Sequence, residues 1–468
     1  MTALVNNTIL CAQFPADLKC AELSPMFKKG NILDKTKYRP ISILPCISKM
    51  MECVVNNQMC AYFNDILDDR LSAFRKNYNT QSILVKAVED WRNALDNGKY
   101  VGAILMDLSK AFDVIPHGLF LAKLHAYGCD THVLKLMYSY LNDRKQRTKI
   151  GTARSEWKTL TKGLPQGSVM GPSVFNIFMN DMFLILESCE DYNYADDNTL
   201  SDEQDTHEEL IDSLECDAEH VTQWFDSNGM KANPERYQGI TFGTKPDRPT
   251  SFNVRGTDIK CSKEVKLLGI YIDSGLTFSK QITFICKKAS KQTCAIMRLS
   301  TIISMDVKLA MYRTFILSNF NYCPVVWMLC GKGNIKKMEA IHLKALRFVF
   351  YDFTSSYVEL LKRSGQPSIS IHLIRSLAVE VYKCLQNIAP EYLCTLFKKH
   401  NVPYELRDNN RLTQKKFKTV TYGKRSFVYL GSKLWNSLPI GIKDAISLND
   451  FKDRIKSWDG PCDCSQWN

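Results

Sequence analysis

Two acid-bearing apolar segments constrain this chain more than any other feature. Tyr100-Val-Gly-Ala-Ile-Leu-Met-Asp107 is a short apolar run that closes on a carboxylate. Tyr192-Asn-Tyr-Ala-Asp-Asp-Asn-Thr-Leu200 sets two more carboxylates at a turn between strand-like residues. The first pattern predicts a buried strand that delivers Asp107 to its C-terminal edge, and the second a tight hairpin carrying Asp196 and Asp197. An Asp-Asp pair alone says little, because turns favour Asp. Three carboxylates on two neighbouring strands, aimed at one sheet edge, are far more specific. Hard divalent cations take such oxygen ligands, keep part of their water and bind triphosphates. Two ions about 3.5–4 Å apart would activate a 3′-hydroxyl and stabilise leaving pyrophosphate, which is the chemistry of nucleotidyl transfer.

Around these segments the spacing of apolar residues predicts helices over Ser48–Asp65, Thr80–Asp96, Lys110–Tyr127 and Thr131–Asn142. Gly163-Leu-Pro-Gln-Gly-Ser168 reads as a turn-rich loop, followed by an apolar helix from Pro172 to Leu186. A helix starting at Thr206-x-x-Glu209 carries Leu210, Leu214, Val221, Trp224 and Phe225 on one face and stops at Asn228-Gly229. Gln238–Phe242 and Val265–Ile272 are expected as strands. Ser279–Ser300 is expected as a basic amphipathic helix, and the remainder to Asn468 as mostly helical.

Charge is unevenly placed along the 468 residues, whose formal net charge is +12. Residues 1–272 hold 31 basic and 35 acidic side chains, a net of −4; residues 273–350 hold 12 and 3, a net of +9. Residues 351–468 add 18 basic and 11 acidic, a net of +7. An acidic first part suits metal chemistry, and a basic second part suits a polyanion. The 17 cysteines include no Cys-x-x-Cys pair, only Cys462-x-Cys464 near the C-terminus, so reduced thiols are expected rather than a disulfide framework or a zinc finger. No basic segment leads into an apolar one at the N-terminus, and no stretch of about 18 apolar residues occurs, so neither a secretion signal nor a membrane span is expected. The expected location is intracellular, in nucleus and cytoplasm. There is no Gly-x-x-x-x-Gly-Lys loop to hold a triphosphate in the P-loop manner.

Met106-Asp107-Leu-Ser-Lys-Ala-Phe112-Asp113, Gly163-Leu-Pro-Gln-Gly-Ser168-x-x-Gly-Pro172 and Tyr194-Ala-Asp-Asp197 resemble, in order and spacing, the successive palm motifs of reverse transcriptases. Leu23-Ser-Pro-Met-Phe-Lys-Lys-Gly30 and Tyr38-Arg-Pro-Ile-Ser42 resemble fingers motifs of the non-LTR retrotransposon enzymes, jockey-like elements in particular. Asn228-Gly-Met-Lys-Ala-Asn233, Val265-Lys-Leu-Leu-Gly-Ile270, Asn321-Tyr-Cys-Pro-x-Val-Trp327 and Gly431-x-x-Leu-Trp-Asn-x-Leu-Pro439 extend the likeness over nearly the whole chain.

The resemblance implies an α/β right-handed polymerase. Fingers and a palm (an antiparallel sheet with helices) would occupy residues 1–272, a helical thumb 273–350, and a mostly helical basic region 351–468. It implies an RNA template, a DNA primer and deoxynucleoside triphosphates as partners, and Mg²⁺, or Mn²⁺, as cofactor. Asp107, Asp196 and Asp197, with Leu108, would hold the metal. Phe112 would stand under the incoming sugar and clash with a 2′-hydroxyl. Arg39 would grip the triphosphate through its planar guanidinium, with Lys28 or Lys29 beside it. Gln166 and Gly167 would support template and nucleotide. Leu268 and Gly269, in a hairpin at the primer end, and Lys287, Lys288 and Lys291 would contact the duplex.

Two positions depart from the pattern. Arg236 stands where a lysine is often cast as proton donor to pyrophosphate, with Lys231 close by, and Pro116 stands where an acid is common. Related elements encode an endonuclease ahead of the polymerase, so the resemblance also implies a partial copy; nothing in the chain resembles a ribonuclease H. The competing reading is a catalytically inactive, retrotransposon-derived nucleic-acid-binding protein.

Overall fold

The structure is a computed structural model that describes residues 1–108, 111–299, 302–400, 410–458 and 460. Lys110 and Ser300, expected at helix ends, and the Cys462/Cys464 pair lie outside the described residues.

At the centre is a four-stranded antiparallel sheet in the order Glu190–Asp191, Asp197–Gln204, Tyr100–Asp107, Gln238–Phe242. The Tyr100–Asp107 strand is central because its interior is apolar between its two ends: Val101, Ala103, Ile104 and Met106 are buried on its two faces. Gly102 has no room for a side chain, since an added Cβ would lie 2.9 Å from Leu214 on the His207–Ser227 helix crossing the sheet. Below this sheet a core of Phe175, Phe178, Phe225 and their neighbours binds the first half of the chain together.

A second sheet pairs Cys20–Phe27 antiparallel with Tyr38–Ile43 and parallel with Lys145–Ile150. These strands are largely half-exposed and so show little apolar alternation, which is why spacing did not reveal them. Two short hairpins follow the central sheet, Ser251–Val254 with Thr257–Lys260 and Glu264–Leu267 with Ile270–Asp273.

The Thr80–Asp96 helix has the expected bounds and is started by an Asn79–Ser82 capping box. One of its faces joins a second apolar core shared with the helices of the C-terminal half. Trp91 stacks on Phe242 of the central sheet at 4.4 Å. Two residues earlier, the buried Glu89 carboxylate accepts from the Phe427 and Val428 amides at 2.6 and 3.4 Å, at the start of the Phe427–Ser437 helix. Arg92, also buried, donates to the carbonyls of Leu276 (3.1 Å) and Arg425. Deep in this core Tyr382 stacks on Phe451 at 4.3 Å beside Trp435.

Two helices expected whole are broken. Lys110–Tyr127 divides into Ala111–Val114 and His117–Ala126, because Pro116 disfavours helical backbone at Ile115. Pro172–Leu186 is α-helical only over Gly171–Met179 and tightens into a 3₁₀ turn over Asn180–Ile185. There the Asn180 side chain bonds the Asp68 amide at 2.7 Å and the Ile66 carbonyl at 3.2 Å. The Ser279–Leu299 helix buries Ile282, Ile285, Ala289 and Ile296 and exposes Lys287, Lys288 and Lys291. All 15 described cysteines are free thiols, and no described helix is long and apolar enough to cross a membrane.

Candidate active site

Sheet register places the acids. Asp107 and Asp197 are antiparallel partners at the end of the two central strands, so their side chains stand next to each other on one face. Tyr194 and Asp197 exchange backbone hydrogen bonds of 2.9 and 3.1 Å, leaving Ala195 and Asp196 as a two-residue turn. Ala195 holds φ +58°, a conformation uncommon outside glycine. It is fixed from behind: Asn193, wholly buried, donates to the Ala195 carbonyl (3.4 Å) and to Asn198 (2.5 Å).

The acids form part of the floor of a cleft of about 1850 Å³. Lys28, Lys29, Arg39, Phe112, Gln166, Gly167, Leu108 and Leu268, which sequence reasoning named, all line it. Gly269, Lys287, Lys288 and Lys291 are not among its lining residues. Sequence reasoning missed Lys35, Lys37 and Lys266, which also line it; the clustering of Lys35-Thr36-Lys37 beside Arg39 was the available signal.

The loop before the cleft is held from several sides. Leu164 and Gly163 donate to the carbonyls of Phe112 and Ile115 at 2.8 Å each, and the His117 ring meets the Gly163 carbonyl at 2.8 Å. Gly163 has φ +80°, and a Cβ there would fall 2.5 Å from the Asp113 carbonyl oxygen. Gly167 has φ +112°, with the Ser42 carbonyl oxygen 2.9 Å from where a Cβ would sit, so only glycine fits either place. Gln166 is anchored at both ends, its side chain donating to Asp113 (2.8 Å) and its carbonyl accepting from Ser42 (2.7 Å). Phe112 is half-buried, stacked on Phe175 at 4.5 Å and edge-on to Phe74 at 6.3 Å.

Electrostatically the acids crowd one another. Asp197 is solvent-accessible at its edge, but the surrounding cleft desolvates its carboxyl, and the charges of Asp196 and Asp107 add to this. Together they push it up to about 6, against the pull of Lys28. Arg236 lies 3.3 Å from the Asp107 carboxylate, so the residue that replaces the expected lysine touches the acidic set. Three carboxylates brought to one end of the sheet are a set of hard oxygen donors of the kind that divalent cations take. They are not closed into a single-ion cage. Among the described residues, the one group of three with ligating atoms all within 4.8 Å of each other lies elsewhere.

Behind the hairpin, Asp191 is fully buried and accepts from the Thr199 amide at 3.0 Å, while its other oxygen has no hydrogen-bond partner. Burial pushes its carboxyl up to about 7 despite Arg70. A folded-state pKa above the ordinary value means that the native state holds this proton longer than the unfolded chain. The charged form therefore costs stability progressively as pH rises from about 4 to about 7, at up to about 1.4 kcal/mol per pH unit. Asp191→Asn mimics the neutral acid. In urea unfolding it should match the parent at pH 4 and exceed it by roughly 2–4 kcal/mol at pH 8. A difference that does not change with pH would show that Asp191 is not titrating in this window.

A central antiparallel sheet crossed by helices, with acids at one end of adjacent strands and a basic cleft above them, defines a palm of the α/β polymerase class. Comparison with known proteins makes this specific. Residues 27–272 match the family described as reverse transcriptase (RNA-dependent DNA polymerase), and the chain belongs to it. It is 26% identical over 363 residues to the RNA-directed DNA polymerase from mobile element jockey of Drosophila melanogaster, covering 74% of this chain and 39% of that protein. It is 25% identical over 360 residues to the probable RNA-directed DNA polymerase from transposon X-element of the same species, covering 75% and 39%. The chain thus spans about two fifths of the length of the curated relatives it matches. Among solved structures, telomerase from Candida albicans aligns with a TM-score of 0.40 and 11% identity, over 86% of this chain and 68% of that one.

Proposed function

We propose that this chain extends a DNA primer on an RNA template, using two Mg²⁺ ions (or Mn²⁺) to add deoxynucleotides. The observation that carries this reading is the convergence of Asp107, Asp196 and Asp197 with Lys28, Lys29, Arg39 and Phe112 in one cleft. Metal held by the three aspartates and Leu108 would lower the proton affinity of the primer hydroxyl and offset charge on the departing pyrophosphate. Arg39 makes no ion pair with the described residues and is available to bind a triphosphate bidentately, with Lys28 and Lys29 adding charge. Gln166, held at both ends, fixes the loop on which nucleotide and template rest. Arg236 stays charged and is a poor acid, so its part is to balance charge at Asp107, and Lys231, on the cleft wall, is the better proton donor to pyrophosphate.

Residues 1–272 serve as fingers and palm, 273–350 as thumb, and 351–468 as a basic C-terminal region. The alternative, an inactive nucleic-acid-binding protein, draws on the ion pair that Arg236 makes with a metal-site carboxylate. Primer extension on an RNA template, with deoxy- and ribonucleotides in parallel, separates the two. Template-coded deoxynucleotide addition in Mg²⁺ is expected. Tight primer–template binding with no addition in Mg²⁺ or Mn²⁺ would establish the alternative.

The thumb assignment has its own test. Lys287, Lys288 and Lys291 form an exposed ridge opposite the buried face of their helix. If they follow duplex phosphates, replacing all three with Ala lowers the slope of log affinity against log salt by about 2–3. Affinity falls similarly on every template sequence. Superimposable salt titrations for parent and triple variant would assign the duplex another path.

A further inference from the structure

A second cluster of ligating side chains stands away from the cleft, and none of its members lines that cleft. Cys216 and His220 are four residues apart on one face of the His207–Ser227 helix, and Glu187 comes from the loop entering the Glu190–Asp191 strand. Their ligating atoms all lie within 4.8 Å of one another. We propose that Glu187, Cys216 and His220 bind one divalent transition-metal ion of borderline softness, zinc above all, as a clip between this helix and the loop.

The donor set selects the metal. Thiolate, imidazole and carboxylate together suit zinc and its neighbours and are poor ligands for Mg²⁺ or Ca²⁺. A tetrahedral zinc site has ligand atoms roughly 3.3–3.8 Å apart, so small side-chain adjustments from the present spacing close it, with the fourth position left to water. Cys216 and Glu187 are exposed, which leaves an entry path.

Two further observations point to the same place. His220 Nδ1 is shielded from solvent and has no hydrogen-bond partner, although it stands 3.8 Å from both the Glu187 and Asp217 carboxylates. A buried ring nitrogen without a partner is costly unless something binds it. Asp217, next to Cys216 and itself buried, accepts from the amides of Glu187 (2.9 Å), Ser188 (3.0 Å) and Cys189 (2.7 Å). It therefore fixes the loop against the helix before any ion arrives, as outer-shell carboxylates do at built metal sites. On binding, the Cys216 thiol gives its proton to solvent and the thiolate becomes the ligand. The clip would tie down the chain just upstream of Tyr194-Ala-Asp-Asp197.

The test is titration of the chelator-stripped full chain with Co²⁺, followed by absorption spectroscopy. One equivalent should bind with a thiolate-to-cobalt charge-transfer band, which Zn²⁺ then abolishes by displacement. A carboxylate-only site in the cleft gives no such band. Cys216→Ser should eliminate the band, and His220→Ala and Glu187→Gln should each weaken binding by roughly tenfold or more. Thermal unfolding with Zn²⁺ should rise for the parent chain and not for these variants. Absence of the band, or a band undiminished in Cys216→Ser, overturns the proposal.

Discussion

Asp107→Asn and Asp196→Asn should each lower primer extension by at least about 10²–10³-fold, the scale of loss when one preorganised electrostatic group is removed from a reacting centre. Both changes keep side-chain shape and remove only charge and metal affinity. Both carboxylates stand at the open end of the sheet rather than in its core, so folding is not at stake. Primer–template affinity should therefore stay nearly unchanged, because the cations lining the cleft and the basic helix remain. The Asp107 variant has a second consequence, since it releases Arg236 from its ion pair. Rapid-quench extension together with a filter-binding titration measures both quantities. Activity within a few-fold of the parent in both variants would remove these residues from the chemistry.

Phe112→Val should raise ribonucleotide over deoxynucleotide incorporation by roughly tenfold or more, the scale of discrimination that one steric contact supports. The ring lines the cleft five residues after Asp107, and its orientation is set by stacking on Phe175 and by the edge of Phe74. That packing also predicts a loss of stability of about 1–3 kcal/mol, which chemical denaturation reads independently. A variant that loses stability while its sugar preference stays fixed would make Phe112 a packing residue alone. Phe74, at φ +60°, is exposed and forms the outer edge of this ring cluster.

Much of this site could be read from the order of residues. The Tyr100–Asp107 and Gln238–Phe242 strands and the Thr80–Asp96 helix have their expected bounds, because each is strongly patterned and ends at a clear signal. The paired acids followed from local turn chemistry, and Gly163 and Gly167 sit where backbone crowding permits nothing else. What escaped depends on contacts distant in sequence. The Cys20–Phe27 strand gains its place only by pairing with Lys145–Ile150, more than a hundred residues later. The Asn180 side chain, which ties the 3₁₀ turn to Asp68, is likewise invisible to spacing. The Glu187, Cys216 and His220 cluster was hidden for the same reason, since one of its three members lies on a different element.

The Thr80–Asp96 helix has a consequence for how this chain can be divided. Its buried Glu89 and Arg92 find their partners near Phe427 and Arg425, while Trp91 beside them backs the central sheet. A chain ending near residue 350 would lose the amides that bond Glu89 and the Arg425 carbonyl, leave Arg92 the Leu276 carbonyl, and uncover the apolar face that this helix shares with the C-terminal helices. The Phe427–Ser437 helix is thus part of the packing behind the central sheet rather than an appendage. Shortened copies that end there should be lost to proteolysis before they could be tested for polymerisation.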